Sequence, residues 1–327
     1  MAADIRIGGE FWSIPTTERE NGLFPAHTRW YQSGRASIRA ILAENRFRTA
    51  ALPSWCCESM ILPFLDAGID VCFYPSLRDP GELDADVVLV LDYFGFRRPF
   101  DIRTRGKIIR DLTQSVLSGP YDDADYYCGS LRKWAGFWTG GFAWAGDGHA
   151  LPAGQPDRTD YAALRREAME RRIRYNRTRD PADKTYSPLF KEADRVMDKS
   201  GYTEADPEDI GAARRLDVDL IRTRRRENAS ILLEAAGELA LFPTLEASDV
   251  PLFVPVCVPD GRRDVLHAFL RERGFSCPRH WPVSPYHKLN AETSRIYAEE
   301  ISLVCDQRYT AADMAYLAEA LREYRGA

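Results

Sequence analysis

The amino-acid sequence predicts an α/β protein with a mostly parallel central sheet flanked by helices and a smaller α+β C-terminal domain. Segments with strand character alternate with helical segments up to about residue 150, which is the order typical of a parallel sheet. Val87–Leu91 is a continuous apolar run, as expected of a strand buried on both faces. We therefore expect an arm at residues 1–30, a large α/β domain at 31–210 and a small domain at 211–327.

Composition excludes several classes of protein. The chain has 327 residues and a net charge of −5, which argues against nucleic acid as the main partner. No apolar run approaches the roughly 20 residues that span a bilayer, and residues 1–10 lack the apolar core of a signal peptide. The seven cysteines include no CxxC pair, so we predict reduced thiols, no metal and a cytoplasmic protein.

The predicted strands place polar residues at one edge of the sheet. Strands are expected at Thr49–Pro53, Val71–Tyr74, Val87–Leu91, Lys107–Asp111, Leu252–Val256 and Ile301–Val304. Ligands bind at the carboxyl ends of such strands. We expect these residues to converge there: Ser54–Cys57, Asp92–Gly95, Asp111 with Gln114, and Ser130–Lys133. Two alternatives remain, because Asp111 is also placed to cap a helix and Asp92 to form a turn.

Helical spacing predicts the remaining elements. After the helix that ends at Gly68, the expected helices are Tyr161–Arg177, Ala212–Ala240, Arg263–Arg273 and one from Thr310 to Tyr324. The arm at residues 1–30 is predicted to be irregular, and it is placed equally well to reach a partner subunit or to pack on its own domain.

The segment Gln32–Ser37 has the features of an anion site. A small, glycine-containing turn that opens a helix presents backbone N–H groups at the positive end of the helix dipole. Arg35 and Ser37 add a charge and a hydroxyl. The alternative is a serine that merely caps the helix.

Lys133 is the strongest candidate for a nucleophile. It is one of only six lysines, and it stands beside Trp134, Phe137 and Trp138. An apolar, aromatic neighbourhood desolvates an amine and lowers its pKa, which a Schiff-base lysine requires. The alternative is a solvated amine whose stem lies along the aromatic rings.

The order of these motifs resembles the DegT/DnrJ/StrS family of fold-type-I, pyridoxal-phosphate-dependent sugar aminotransferases. The similar residues are the turn at Gly34, Leu52-Pro53-Ser54-Trp55, Asp111-Leu112-Thr113-Gln114, Ser130 with Lys133, Gly140-Gly141, and Arg279-His280-Trp281-Pro282. The spacing from Ser130 to Lys133 is shorter than is common in the family, and residues 150–205 do not match it.

The resemblance implies a role for each matched residue. Lys133 would form the Schiff base with pyridoxal 5′-phosphate, Asp111 would pair with the pyridinium nitrogen, and Gln114 would bind the ring hydroxyl. The phosphate would be held by Gly34, Arg35, Ser37 and Ser130. Trp55 or Cys57 would lie against the ring face.

The resemblance also implies the reaction and the partners. We expect an aminotransferase of a biosynthetic pathway that moves an amino group from glutamate or glutamine to a keto substrate such as a nucleotide-linked sugar, and that acts as a homodimer. Candidate substrate contacts are Arg132, Arg279, His280 and Arg308. Two alternatives stay open: a lyase, dehydratase, epimerase or decarboxylase with the same cofactor, and a non-catalytic relative.

Overall fold

A computed structural model describes residues 7–98, 100–197 and 201–326 of the chain, so the first six residues of the predicted arm lie outside the described part. The strands of the described residues are β1 Ile7–Gly8, β2 Arg29–Tyr31, β3 Thr49–Pro53, β4 Asp70–Tyr74, β5 Glu82–Leu83, β6 Val87–Leu91, β7 Arg103–Thr104, β8 Lys107–Asp111, β9 Tyr126–Ser130, β10 Gly141–Ala145, β11 Val254–Cys257, β12 Phe275–Ser276 and β13 Glu300–Leu303. The helices are α1 Gly34–Glu44, α2 Glu58–Asp66, α3 Tyr161–Thr178, α4 Tyr186–Met197, α5 Pro207–Arg214, α6 Val218–Ala236, α7 Arg263–Glu272, α8 Ala291–Glu299 and α9 Ala311–Gly326.

The described residues form two compact units. The first unit contains residues 7–9, 47–124 and 218–326, and the second contains residues 10–46 and 125–217. The boundaries expected at residues 30 and 210 stay a prediction.

A parallel sheet organises the first half of the first unit. Its strands lie in the order β4-β3-β6-β8, and every pair is parallel, with Leu91 of β6 opposite Asp111 of β8. All five residues of β6 are buried, because a strand inside a parallel sheet is covered on both faces. The predicted α/β class is therefore confirmed, and the segments after Pro53, Leu91 and Asp111 lie at one edge.

The C-terminal part of the first unit has a core of its own. The strands β11 and β13 pair antiparallel, and helices α6, α7 and α9 contribute buried apolar residues to the same core cluster. The single helix predicted at Ala212–Ala240 is wrong, because the chain breaks between α5 and α6. At this break the backbone N–H of Asp217 donates to Pro15 O instead of continuing a helix.

The second unit is built on an antiparallel sheet in the order β2-β10-β9. Residues 10–28 are mostly irregular, as predicted, and they pack within this unit. The backbone N–H of Gly136 donates to Ser13 O, and that of Asn21 donates to Arg214 O. These contacts agree with the alternative in which the arm covers its own chain. Across the described ranges, no helix has the length and apolarity needed to cross a bilayer.

Candidate active site

The turn at Gln32–Ser37 in the second unit opens a helix, and its role as an anion site stays a prediction. Helix α1 begins at Gly34, and Ser33 caps it by accepting a hydrogen bond from the N–H of Ala36 at 3.2 Å. The hydroxyl of Ser37 donates to Ser33 O at 3.1 Å. Ser37 is therefore buried one turn into the helix, so the N–H groups at Gly34 and Arg35 form the open end.

Ser130 lies directly beside this helix end. A Cβ added to Gly34 would stand 3.4 Å from the Cβ of Ser130, so the two residues are in van der Waals contact range. Ser130 Oγ is buried and has no hydrogen-bond partner within the described residues. A buried hydroxyl next to the N-terminus of a helix is suited to an oxyanion that accepts from both.

The pair Gly140-Gly141 is explained by the same close packing. A Cβ on Gly141 would lie 2.3 Å from the carbonyl oxygen of Ser33, a distance that no side chain tolerates. Strand β10 therefore approaches the cap of α1 only because residue 141 is glycine. Gly140 has φ of 101°, in the left-handed region that favours glycine.

Of the two environments considered for Lys133, the apolar one is wrong and the exposed one agrees with the structure. Lys133 ends a short 3-10 turn at Leu131–Lys133 and is exposed, whereas Trp134 and Phe137 are almost completely buried and point into the core. The aromatic residues next to Lys133 in sequence therefore do not enclose its amine.

Asp111 is a buried carboxylate at the end of β8. It is 3% exposed, and its Oδ1 accepts a hydrogen bond from the backbone N–H of Thr113 at 2.7 Å. Burial raises the pKa of Asp111, although the hydrogen bonds from Thr113 lower it. Within the described residues no cationic side chain is paired with it. Asp111 therefore fits a protonated ring nitrogen, which would supply the missing positive charge.

Gln114 is oriented by the backbone of a neighbouring strand end. Its Oε1 accepts from the N–H of Phe94 at 2.8 Å, and the side chain is buried. Because the oxygen is engaged, the NH₂ group is the part that can donate to a ring hydroxyl.

Trp55 is fully buried and already stacked. Its ring lies 4.6 Å from that of Tyr93 at an angle of 15°, and its Nε1 donates to His280 O at 2.7 Å. Phe94 and Trp281 pack at 5.5 and 5.8 Å. Cys57 is only half-buried, with its Sγ 2.9 Å from Ser59 Oγ. Of these two residues, Cys57 is the better placed to cover a cofactor ring.

Sequence reasoning did not assign a role to Tyr297, which holds the turn around Cys56 together with His287. Tyr297 Oη donates to Cys56 O at 2.7 Å and accepts from Cys56 N at 3.2 Å. His287 Nδ1 accepts from Ser284 N, so its Nε2–H can donate to Cys56 O. Burial lowers the pKa of His287 and keeps it neutral. His287 and Cys56 are 231 positions apart in sequence, so no local pattern shows that they lie close together.

His280 is part of a hydrogen-bonded chain with two buried polar residues. The Ser302 hydroxyl donates to Glu300 Oε1, so it accepts from His280 Nδ1 at 2.9 Å. Glu300 Oε2 also accepts from the backbone N–H of His280 at 2.6 Å. The ring, packed 5.2 Å from Phe94, is thus fixed with Nε2 as its remaining acceptor.

The arginines predicted to bind substrate have different surroundings. Arg279 is exposed and paired with Asp264 at 2.9 Å. Arg308 is nearly buried in an ion pair with Asp306 at 2.7 Å and donates to Gly9 O, so it acts in the packing of its own unit. Arg132 donates to Tyr161 Oη at 2.5 Å and lies near Asp194.

The predicted site residues are divided between the two units. The second unit holds Gly34, Arg35, Ser37, Ser130, Arg132 and Lys133, and the first holds Trp55, Cys57, Asp111, Gln114 and His280. The joining of the two groups into one cleft stays a prediction. Among the described residues no cluster of His, Cys, Asp and Glu is suited to a metal ion.

Comparison with solved structures identifies the fold. Putative sugar aminotransferase Spr1654 from Streptococcus pneumoniae, in its PLP form, is 12% identical, with a TM-score of 0.63 over 95% of this chain and 92% of that one. A DegT DnrJ EryC1 StrS aminotransferase from Brucella abortus is 14% identical, with a TM-score of 0.59 over 92% and 86%. Helicobacter pylori PseC, an aminotransferase involved in the biosynthesis of pseudoaminic acid, is 12% identical, with a TM-score of 0.59 over 96% and 99%.

The chain has the fold of these sugar aminotransferases. The resemblance predicted from the motifs is therefore confirmed at the level of a fold-type-I architecture. No family model and no curated protein matches the sequence. At 12–14% identity the likeness concerns the fold alone, so the activity is argued from the residues of this chain.

Proposed function

We propose that the chain is a pyridoxal-phosphate-dependent aminotransferase. It moves an amino group from glutamate or glutamine to a keto group on a small substrate, and a nucleotide-linked sugar is the substrate class we propose. The observation that carries this proposal is Asp111, a buried carboxylate without a cationic partner in the described part of the chain. The similar folds of sugar aminotransferases, some of them in PLP and PMP forms, support it.

Asp111 and Gln114 would bind the two polar edges of the cofactor ring. When bound, pyridoxal phosphate withdraws electrons from the carbon that carries the amino group. A buried carboxylate holds the proton on the ring nitrogen, because in a low-dielectric site separation of the charges costs more than in water. The Gln114 NH₂ would donate to the ring hydroxyl, since the N–H of Phe94 holds the amide oxygen.

The turn at Gly34 would bind the cofactor phosphate. The open end of α1 supplies backbone N–H groups, Ser130 supplies a buried hydroxyl without a partner in the described residues, and Arg35 supplies charge. These groups suit a dianion, and they orient the ring by fixing its phosphate.

Lys133 would bind the cofactor covalently and carry the proton between substrate atoms. It stands three residues after Ser130, so the proposed phosphate contact and the amine belong to one short segment. Because Lys133 is exposed in the free chain, we infer that bound cofactor and substrate supply the apolar surroundings that the amine needs.

A homodimer in the cytoplasm is the finer proposal for the assembly. It is supported by the resemblance of the motifs, which implies a homodimer. Sedimentation of the purified chain measures this directly, and a monomer with full activity would contradict it.

The exposure of Lys133 favours a second candidate, a non-catalytic relative that uses the same surface for binding. The two candidates differ in an absorbance spectrum of the purified protein with added pyridoxal phosphate. The aminotransferase is expected to show a band near ~420 nm that L-glutamate converts to one near ~330 nm. A Lys133→Ala variant should lose both, whereas the exposed Lys191→Ala variant should keep them. A band that ignores glutamate would indicate another donor or a lyase, and the absence of any band would favour the non-catalytic candidate.

A further inference from the structure

A cluster of basic side chains surrounds one glutamate in the second unit. It consists of Arg132, Lys133, Arg165 and Arg172, and we call it the basic cluster. The guanidinium of Arg165 lies 3.3 Å from Glu10 Oε2. Partial burial acts to raise the pKa of Glu10, but the positive charges of Arg165, Lys133, Arg132 and Arg172 lower it below the ordinary value. Four cationic side chains therefore act on a single carboxylate.

The arginines of the basic cluster are held in place by aromatic rings. Arg165 lies 4.8 Å from the ring of Phe190, and Arg172 lies 5.4 Å from that of Trp12. Arg132 donates to Tyr161 Oη. Such contacts fix planar guanidinium groups before a ligand arrives, which lowers the entropic cost of binding.

Two buried donors of the cluster have no acceptor. The Nε–H groups of Arg132 and Arg165 are buried, and neither has a hydrogen-bond partner within the described residues. Asp194 Oδ1 lies 3.7 Å from a terminal nitrogen of each arginine, which is too far for a direct hydrogen bond. Buried N–H groups of this kind are usually paired, so the cluster has more donors than Glu10 and Asp194 use.

Glu10 is placed to leave the cluster. Its side chain is 46% exposed, while that of Arg165 is only 5% exposed. It stands in the irregular segment before β2, and the cost of moving a half-exposed side chain is small compared with moving a buried one. The carboxylate supplies one negative charge, whereas a phosphate supplies up to two and more acceptor oxygens.

We propose that the basic cluster binds an anionic group of the substrate, a phosphate or a carboxylate, and that Glu10 occupies this site until the substrate displaces it. The inference rests on the proposed function, since it takes Lys133 as the reacting amine. Lys133 directly follows Arg132 and acts electrostatically on Glu10. An anion held there would lie close to the amine, so the site would select a substrate by its charge and position it.

Calorimetric titration of the full chain, with pyridoxal phosphate added, tests this. The probes are inorganic diphosphate, which represents a phosphorylated substrate, and L-glutamate, which represents the amino donor. The variants are Arg165→Gln, Arg165→Lys and Glu10→Gln. The controls are Arg166→Gln and Glu20→Gln. Arg166 follows Arg165 on α3 and pairs with Asp206, and Glu20 is an exposed acid of the same irregular segment as Glu10.

One probe is expected to bind, and the probe that binds more tightly identifies the source of the anion. Arg165→Gln should weaken its binding about tenfold or more, and Arg165→Lys should weaken it less, because loss of a charge-assisted hydrogen bond to a buried arginine has an effect of this size. Glu10→Gln should strengthen binding about three- to tenfold, because the competing carboxylate is neutralised. Both controls should bind like the unchanged chain.

Binding that is unaffected by Arg165→Gln, or weakened by Glu10→Gln, would overturn the inference. Glu10 is half-exposed, so its variant should fold and give a result even if Arg165→Gln does not. The absorbance band of the cofactor is recorded in the same samples. A normal band without the expected changes in affinity would contradict only the anion site. The expected changes without a band would contradict only the proposed function.

Discussion

At the scale of single residues, the role of a buried carboxylate depends on whether its charge is paired within the protein. Asp111 is buried with no cation against it in the described residues, while Asp92, at the end of the neighbouring strand, is paired with Arg110 at 2.6 Å and with Arg98 at 3.6 Å. The two carboxylates look alike in sequence. Asp92 has its counter-charge inside the protein, so only Asp111 is free to serve a cationic ligand.

Asp111→Asn should therefore have opposite effects on stability with and without cofactor. Burial raises the pKa of Asp111. The protonated carboxyl therefore stabilises the fold, and this contribution is lost as the pH rises through the folded-state pKa. In cofactor-free protein at pH 8, we expect the variant to melt at a higher temperature than the unchanged chain. With pyridoxal phosphate the order should reverse, and turnover should fall about 100-fold or more.

Thermal melting with and without cofactor measures this, and Asp84→Asn, an exposed acid in the same unit, is the control. Equal melting temperatures for the Asp111→Asn variant and the unchanged chain in both states would remove Asp111 from its proposed role.

At the scale of elements, one glycine lets a strand approach a helix. A Cβ on Gly141 would meet the carbonyl of Ser33, which is backbone and cannot turn away. Gly141→Ala should cost about 1–3 kcal/mol in the free energy of unfolding and weaken binding of pyridoxal phosphate, because the N-terminus of α1 must shift. Gly211→Ala on α5 is the matched control, since its Cβ would meet only the far end of Arg215 at 3.9 Å. Urea unfolding and a fluorescence titration with the cofactor check both, and a neutral Gly141→Ala would contradict this reading.

Helix α5 supports the same region through a titrating group. Asp209 Oδ2 accepts from the N–H of Thr139 at 2.6 Å, next to Gly140, and burial raises the pKa of Asp209 to about 6. Because the folded-state pKa is raised, the protonated form stabilises the fold below about pH 4, and that contribution is lost as the pH rises to about 6. The difference in stability between the unchanged chain and Asp209→Asn should therefore fall by about 3 kcal/mol between pH 4 and pH 7.

Urea unfolding at several pH values measures this difference, and other titrating groups cancel between the two proteins. Asp260→Asn, which changes an exposed acid, is the control variant. A difference for Asp209→Asn that stays constant with pH would show that its carboxylate does not titrate in this range.

The elements also separate what the sequence predicts from what it does not. Strands β3, β6 and β8 follow from apolar runs of the right length, and α1 follows from its serine cap, because each signal is local. The sequence left the environment of Lys133 open, because neighbouring residues at the end of a 3-10 turn can differ in burial, as exposed Lys133 and buried Trp134 do. The break before α6 was missed, because it depends on contacts with residues 15 and 16, which are far away in sequence.

At the scale of the whole molecule, the observations that support the fold differ from those that support the proposed activity. The fold follows from the alternation of strands and helices and is confirmed by solved structures that cover more than 90% of this chain. Activity depends on a few atoms, since a fold-type-I architecture without Lys133 or Asp111 in place would have the same topology. The hydrogen bonds that hold Gln114, His280 and Tyr297 in place join segments that are distant in sequence, so no local pattern shows them.

The most direct test of the central claim is chemical. The purified chain is mixed with pyridoxal phosphate, reduced with borohydride and digested, and the modified peptide is identified by mass spectrometry. We expect one modified residue, Lys133, with a stoichiometry near one cofactor per chain, and no cofactor attached to Lys191 or Lys288. Label spread over the surface lysines, or none on Lys133, would contradict the proposal that this chain binds its cofactor through Lys133.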